Sequence, residues 1–262
     1  METNIIYNEN CLETMARMKD NFIDLVVTSP PYDNLRDYNG YTFDFEGIAK
    51  QLYRITKDGG VVVWIVGDAT VKGSETLSSF KQAIYFKDVC GFDVETMIWD
   101  KCNCASVGSM ERYENVFEYM FVLSKGKPKT ANIIKDRLNK RAGELQHGSI
   151  RQKNGDVRKT TGYGKRVIAE YGRRHNIWRI VPAKSPKERL HPAPFSEQIA
   201  NDHILSWSNE GDIVLDPMCG SGTTCKMAML NNRNYIGIDI SEEYCNIARK
   251  RIAEHEQQLK IF

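Results

Sequence analysis

The chain has 262 residues, 41% of them apolar, and its 36 lysines and arginines against 34 aspartates and glutamates leave a net charge of +2. That length and apolar content suit one full-sized core with room for a smaller lobe, and exclude a disordered chain. No run of 18 apolar residues occurs and METNIIYNEN lacks a signal-peptide pattern, so no membrane helix is expected and a cytoplasmic protein is the default.

Phe22–Thr28 (FIDLVVT) is an apolar run of strand length, suited to a buried parallel strand. It leads directly into Thr28–Tyr32 (TSPPY). Proline cannot continue a central strand, so the chain must turn out at the carboxyl edge of the sheet, where open α/β sheets hold their ligands. Two prolines remove two N–H donors and leave the carbonyls of Ser29 and Pro30 as acceptors, with the flat ring of Tyr32 beside them. Acceptors plus an aromatic plate suit an exocyclic NH₂ on a planar base; a rigid turn with a packed tyrosine is the simpler alternative. Gly60–Gly67 (GVVVWIVG) is a second buried strand. Leu77, Phe80 and Ile84 are spaced for one face of a helix, and Val94–Trp99 and Val116–Leu123 read as further strands. Strands interleaved with helices predict an α/β fold with a parallel sheet.

From Lys125 to Arg189 there are 19 basic and 5 acidic residues, a net of +14 that leaves −12 for the rest. The stretch Gly126–Glu188 is weakly periodic, with Tyr163, Tyr171 and Trp178 among the cations, and reads as an inserted lobe or set of loops. Such a cluster suggests a polyanionic partner or, equally, a solvated insert. His191, before Pro192 and Pro194, suits a loop anchor better than a general base.

The α/β pattern then resumes. Ser196–Trp207 has helical spacing through Ile199, Ile204 and Trp207; Asp212–Leu215 and Tyr235–Ile240 are strands. Ser241 can cap a last helix whose apolar face is Tyr244, Ile247, Ala248, Ile252 and Leu259. Between the two strands lies Asp216–Thr224 (DPMCGSGTT), a strand–turn–helix in which Gly220 and Gly222 allow close backbone approach. No lysine follows the glycines and their spacing differs from G-x-G-x-x-G, so neither a phosphate loop nor a dinucleotide fingerprint is present. Asp239 ends the next strand, where an acid can take both hydroxyls of a ribose. The pair implies an adenosine-bearing ligand. The seven cysteines (Cys11, Cys90, Cys102, Cys104, Cys219, Cys225 and Cys245) are scattered and odd in number, as free thiols in a reducing compartment would be. Cys102 and Cys104 are too close for paired zinc ligands, and no metal is expected.

TSPPY followed by DPMCGSGTT resembles the amino-methyltransferases of DNA, in the permuted order of the group called the beta class. Ile98–Lys101 (IWDK), Tyr113–Gly126 (YENVFEYMFVLSKG) and His191–Phe195 (HPAPF) match further pieces in the same order. The resemblance implies a Rossmann-like, mostly parallel seven-stranded sheet with helices on both faces, formed by residues 1–125 and 189–262, with 126–188 as a basic target-recognition insert. It implies S-adenosylmethionine as methyl donor and a target base flipped from duplex DNA. Ser29, Pro30, Pro31 and Tyr32 would hold the base. Phe195, Asp216, Met218, Gly220, Ser221, Gly222 and Thr223 would lie by the methionine end of the cofactor, Asp239 would take the ribose, and Asn10 and Cys11 would border the adenine. Asn10 stands where the family often has an acid. Arg173, Arg174 and Lys101 would meet DNA. Cytosine-N4 enzymes of the family usually have Ser before PPY and adenine-N6 enzymes Asp, so Ser29 points to cytosine N4. Adenine N6 is the alternative, ahead of an RNA or protein-glutamine substrate or a non-catalytic DNA-binding module. A restriction–modification setting follows, with a cognate endonuclease and a homodimer left open.

Overall fold

A computed structural model describes residues 1–31, 43–102, 112–182 and 196–259. In chain order its elements begin with β1 (Ile5–Asn8), α1 (Cys11–Ala16), β2 (Ile23–Thr28), α2 (Phe45–Ile55) and β3 (Thr56–Val66). A small hairpin of β4 (Thr70–Val71) and β5 (Ser74–Glu75) precedes α3 (Ser78–Tyr85), which runs on into one π-helical turn at Phe86–Cys90. Then come β6 (Asp93–Asp100) and β7 (Phe117–Ser124), the short strands β8 (Arg137–Leu138), β9 (Ser149–Arg151), β10 (Val157–Lys159) and β11 (Tyr171–Gly172), and β12 (Ile177–Arg179). The chain closes with α4 (Glu197–Trp207), β13 (Ile213–Asp216), α5 (Thr223–Leu230), β14 (Asn234–Asp239) and α6 (Glu242–Leu259).

The main sheet has eight strands in the order β1-β14-β13-β2-β3-β7-β6-β12. All neighbours run parallel except β7, which is antiparallel to both β3 and β6. The expected mostly parallel α/β sheet is therefore present, with eight strands among the described residues instead of seven. The additional one, β12, pairs with β6 and comes from the stretch expected to be insert. Trp178 on it is buried and stacks on His203 at 4.5 Å, so it belongs to the core and not to the basic lobe.

Both faces of the sheet are covered, which is why its central strands are apolar without alternation. Leu25, Val27, Val61, Val63 and Ile65 face Ile199 and Ile204 of α4, Ala228 of α5 and Ala248 and Ile252 of α6. Val26, Val62, Trp64 and Val66 face Met15 of α1, Ile48, Ala49, Leu52 and Ile55 of α2, and Phe86. The reading of α3 is corrected in one respect. The helix forms, but Leu77, Phe80 and Ile84 are 47%, 42% and 59% exposed, while Ser79 and Gln82 face inward. The buried Trp64 indole explains this, because its N–H needs an acceptor and donates to Gln82 Oε1 at 2.8 Å. Phe80 instead lies edge-on to Tyr119 at 5.1 Å between centroids.

Ile133–His175 form a second compact unit, narrower than the 126–188 segment. Within it β8 pairs with β11 and β9 with β10, each antiparallel. Among the described residues no helix is long and apolar enough to cross a membrane and no cluster of His, Cys, Asp or Glu could hold a metal ion; the six described cysteines are free thiols.

Candidate active site at the switch point of the sheet

The next sheet strand in sequence after β13 is β14, on one side of it, whereas the next after β2 is β3, on the opposite side. Connections that leave two neighbouring strands in opposite directions open a crevice at their carboxyl ends, the place where open α/β sheets bind ligands. One lip of this crevice is the DPMCGSGTT turn after β13, and the other is the TSPP segment after β2.

Two hydrogen bonds tie the lips together. Thr28 Oγ1 donates to Asp216 Oδ1 at 2.8 Å, and Thr224 Oγ1 donates to the Val27 carbonyl at 3.0 Å. Both threonines are fully buried and Asp216 is 2% exposed. Asp216 also accepts from Met218 N at 3.2 Å. Burial pushes its carboxyl up to about 7, opposed by the Thr28, Met218 and Thr224 hydrogen bonds. Asp216 thus staples the two lips. Ser29 and Pro31 are partly exposed and Pro30 is buried where the strand leaves the sheet. Tyr32, His191 and Phe195 lie outside the described residues.

The turn itself needs its glycines. Gly220 and Gly222 have φ of +48° and +78°, and a Cβ on Gly222 would lie 2.7 Å from that of Ala248 on α6. Gly220 N donates to Asp239 Oδ2 at 2.8 Å and Ser241 N to Asp239 Oδ1 at 2.9 Å. Burial raises the Asp239 carboxyl, and no salt bridge reaches it among the described residues. From behind, Arg251 on α6 donates to the Ser221 carbonyl at 2.7 Å and its hydroxyl at 2.8 Å, with Thr223 Oγ1 at 3.5 Å. Glu197 on α4 receives Arg251 at 2.9 Å and Lys226 at 2.6 Å, and these two cations hold its carboxyl below the usual range against the opposing effect of burial.

The edge of the crevice beyond β14 is formed by β1. Asn8 Nδ2 donates to the carbonyls of Asp239 and Ile240 at 3.1 and 2.9 Å, which locks the two strand ends together. Asn10 is the N-cap of α1, its side-chain oxygen taking Leu12 N at 2.9 Å. Burial pushes the Cys11 thiol up to about 11. Thr28, Thr224, Asn8, Glu197, Lys226 and Arg251 are not assigned these contacts by the sequence; Thr28 and Thr224 stand within the two motifs and Asn8 at the strand end beside Asn10, whereas Glu197, Lys226 and Arg251 carry no signal.

The three cations expected at DNA are placed differently. Lys101 Nζ is held by Glu118 Oε1 at 2.7 Å, and both side chains are mostly covered, so it is not a free cation. Arg174 donates through Nε to Asp136 at 2.8 Å, whereas Arg173 is exposed, its carbonyl accepting from Arg137 Nε at 3.1 Å.

The raised Asp216 carboxyl gives a testable pH dependence. The folded chain binds this proton more tightly than the unfolded chain does, so its stabilising contribution is present below about pH 4 and is lost as pH rises through about 7. Asp216→Asn keeps an acceptor for Thr28 and removes the titration. Urea denaturation should show the variant gaining stability relative to wild type between pH 4 and 7. A constant difference across that range would mean the carboxyl is not shifted.

The sheet order, with one antiparallel strand among parallel neighbours and a glycine-rich turn at the switch point, defines an α/β protein of the methyltransferase fold. A family model described as DNA methylase matches residues 23–250, and the chain belongs to this N6/N4 DNA methylase family; it is a DNA methyltransferase. It is 54% identical over 248 residues to the orphan methyltransferase M.BamHII of Bacillus amyloliquefaciens, covering 91% of this chain and 93% of that protein. It is 27% identical to the type II methyltransferase M.SmaI of Serratia marcescens, over 92% of this chain and 87% of that one. Among solved structures, the PvuII DNA methyltransferase (cytosine-N4-specific) superposes with a TM-score of 0.69 at 20% identity, covering 94% of this chain and 85% of that one.

Proposed function

We propose that the chain transfers a methyl group from S-adenosylmethionine to the exocyclic N4 of cytosine in duplex DNA, as a beta-class enzyme in which the SPPY segment precedes the glycine-rich turn. The observation that carries this reading is the pairing of the two motifs across one crevice, joined by the Thr28–Asp216 and Thr224–Val27 hydrogen bonds.

The residues fit the cofactor. Each Asp239 oxygen accepts one backbone N–H and keeps a lone pair for a hydroxyl donor, and with no ion pair to satisfy it among the described residues the carboxylate suits a ribose diol. Asn10, whose amide N–H₂ is not needed for its capping bond, and Cys11, a protonated thiol, border the adenine. Met218, Gly220, Ser221, Gly222 and Thr223 line the methionine end, with Arg251 bracing Ser221 from behind. When bound, S-adenosylmethionine supplies an electrophilic methyl on a sulfonium sulfur.

At the other lip, Ser29 and Pro30 present carbonyls to the hydrogens of the base amine, and Pro31 offers no competing donor. A base amine is a poor nucleophile because its lone pair is delocalised into the ring. Holding both hydrogens favours a pyramidal nitrogen with the lone pair turned outward. The Ser29 hydroxyl can also donate to a ring nitrogen, which an ionised aspartate cannot. The SPPY serine, together with the fold shared with a cytosine-N4 enzyme, supports cytosine over adenine. The basic unit Ile133–His175 supplies the DNA contacts, with exposed Arg173 among them. The relatives' names are consistent with a restriction–modification setting, either beside an endonuclease or as an orphan.

Mass analysis of nucleosides from DNA of cells expressing the chain tests the reading, and N4-methylcytosine is the expected product. N6-methyladenine in its place would change the target base while keeping the site. Neither base, with cofactor bound in calorimetry, would redirect the reading to RNA or protein.

A further inference from the structure

The unit Ile133–His175 carries 12 lysines and arginines against 4 aspartates and glutamates, and four of these cations are concentrated on one short hairpin. Arg174 is committed to Asp136, Arg141 to Glu144 at 2.7 Å, and Arg137 to the Arg173 carbonyl, whereas Lys135, Lys140, Lys165, Arg166 and Arg173 form no salt bridge among the described residues. The β9–β10 hairpin gathers four cations on one paired ribbon. Arg151, Lys153, Arg158 and Lys159 have no salt bridge among the described residues, and every residue from Ser149 to Lys159 is exposed.

The hairpin is also ordered where it needs to be. Its turn is closed by Gln152 N to the Asp156 carbonyl at 2.7 Å and by Asp156 N to Asn154 Oδ1 at 3.1 Å. Its base is pinned by Thr160, which donates from N and Oγ1 to the Gly148 carbonyl at 2.9 and 2.8 Å. Lys159 lies over the Tyr163 ring at 4.4 Å. Ile150 stands opposite Arg158, and Arg151 opposite Val157. Each face therefore pairs one guanidinium with one aliphatic side chain, and Ile150 and Val157 are 59% and 69% exposed. A ribbon with apolar residues on both faces and a core on neither has no folding reason for that pattern.

We infer that the β9–β10 hairpin, Ser149–Lys159, enters the major groove of duplex DNA and reads the target sequence. A two-stranded ribbon fits the width of that groove. A guanidinium grips a guanine edge through two hydrogen bonds, and an aliphatic side chain meets the thymine methyl. Lys153 and Lys159 take phosphates and set the register. The inference rests on the DNA reading above and assigns base recognition, which the sequence left unplaced within the basic insert, to a hairpin with no recognisable motif.

The test is methylation-sensitive sequencing of host DNA from cells expressing wild type, Arg151→Ala, Arg158→Ala, or the Arg173→Ala/Arg174→Ala double variant. Wild type should mark one motif. Each hairpin variant should relax one or two positions of it, with discrimination there falling on the order of 10- to 100-fold, while the double variant keeps the motif. The hairpin assignment is overturned if both hairpin variants mark the wild-type motif with unchanged stringency. A variant that marks nothing is resolved by anisotropy on two labelled duplexes, one with the wild-type motif and one scrambled. A lost preference supports the inference and a retained preference overturns it. No methylated base with wild type would remove the DNA reading itself, and the hairpin with it.

Discussion

Replacing Tyr32 by alanine is expected to lower single-turnover methylation by on the order of 100-fold or more while leaving cofactor affinity within about twofold of wild type. Tyr32 follows two prolines directly after the strand in the sequence, and proline restricts the backbone that leads into it. Stacking of a flipped base on an aromatic plate is worth about 1–3 kcal/mol, which accounts for weaker DNA binding. The larger loss comes from orientation, because an amine out of line with the methyl group by about 1 Å forfeits most of the benefit of proximity. Tyr32→Phe keeps the ring and should retain most of the rate. A Tyr32→Ala enzyme with normal single-turnover kinetics would show that the tyrosine merely packs in the turn.

Asp239→Ala is the second large effect. It should weaken S-adenosylmethionine binding by about 1.5–3 kcal/mol, roughly 10- to 150-fold, with DNA affinity unchanged. Two losses combine: the hydrogen bonds to a ribose, and the acceptors for Gly220 N and Ser241 N, which hold the glycine-rich turn against the end of β14. Asp239→Asn separates them in part. Its oxygen still serves one backbone N–H, but its NH₂ faces another donor, so affinity should fall again, by less than in the alanine variant. Calorimetry with the cofactor alone reads the result, and unchanged affinity in both variants would remove Asp239 from the site.

Much of the molecule is legible in the sequence. The strands at Ile23–Thr28, Asp93–Asp100 and Asn234–Asp239 coincide to within a residue or two with apolar runs, and the helices Glu197–Trp207 and Glu242–Leu259 with their periodic faces. Helix α3 forms where the spacing predicts it, with the opposite face inward. Hydrophobic spacing predicts which side of a helix can be buried, but the choice between Gln82 and Phe80 was made by an indole N–H on another strand that needed an acceptor. The basic stretch shows a similar limit. Its charge was visible as a total, yet its end at Trp178 completes the core of the main sheet, and its cations divide into paired and unpaired ones only once Asp136 and Glu144 find their partners.

What the sequence by itself determined is local. It set where strands end in prolines or glycines, which acid closes β14, and that the two motifs occur in one chain in a given order, because these depend on backbone geometry and side-chain chemistry within a few residues. Only the tertiary structure decided that the motifs face each other. Thr28 and Asp216 are 188 residues apart in the chain and meet because β13 and β2 lie side by side at the one point where the connections of the sheet diverge. A carboxyl that is an ordinary acid in the sequence becomes there a buried group pushed up to about 7, since burial is a property of everything packed around it and of nothing in its own segment.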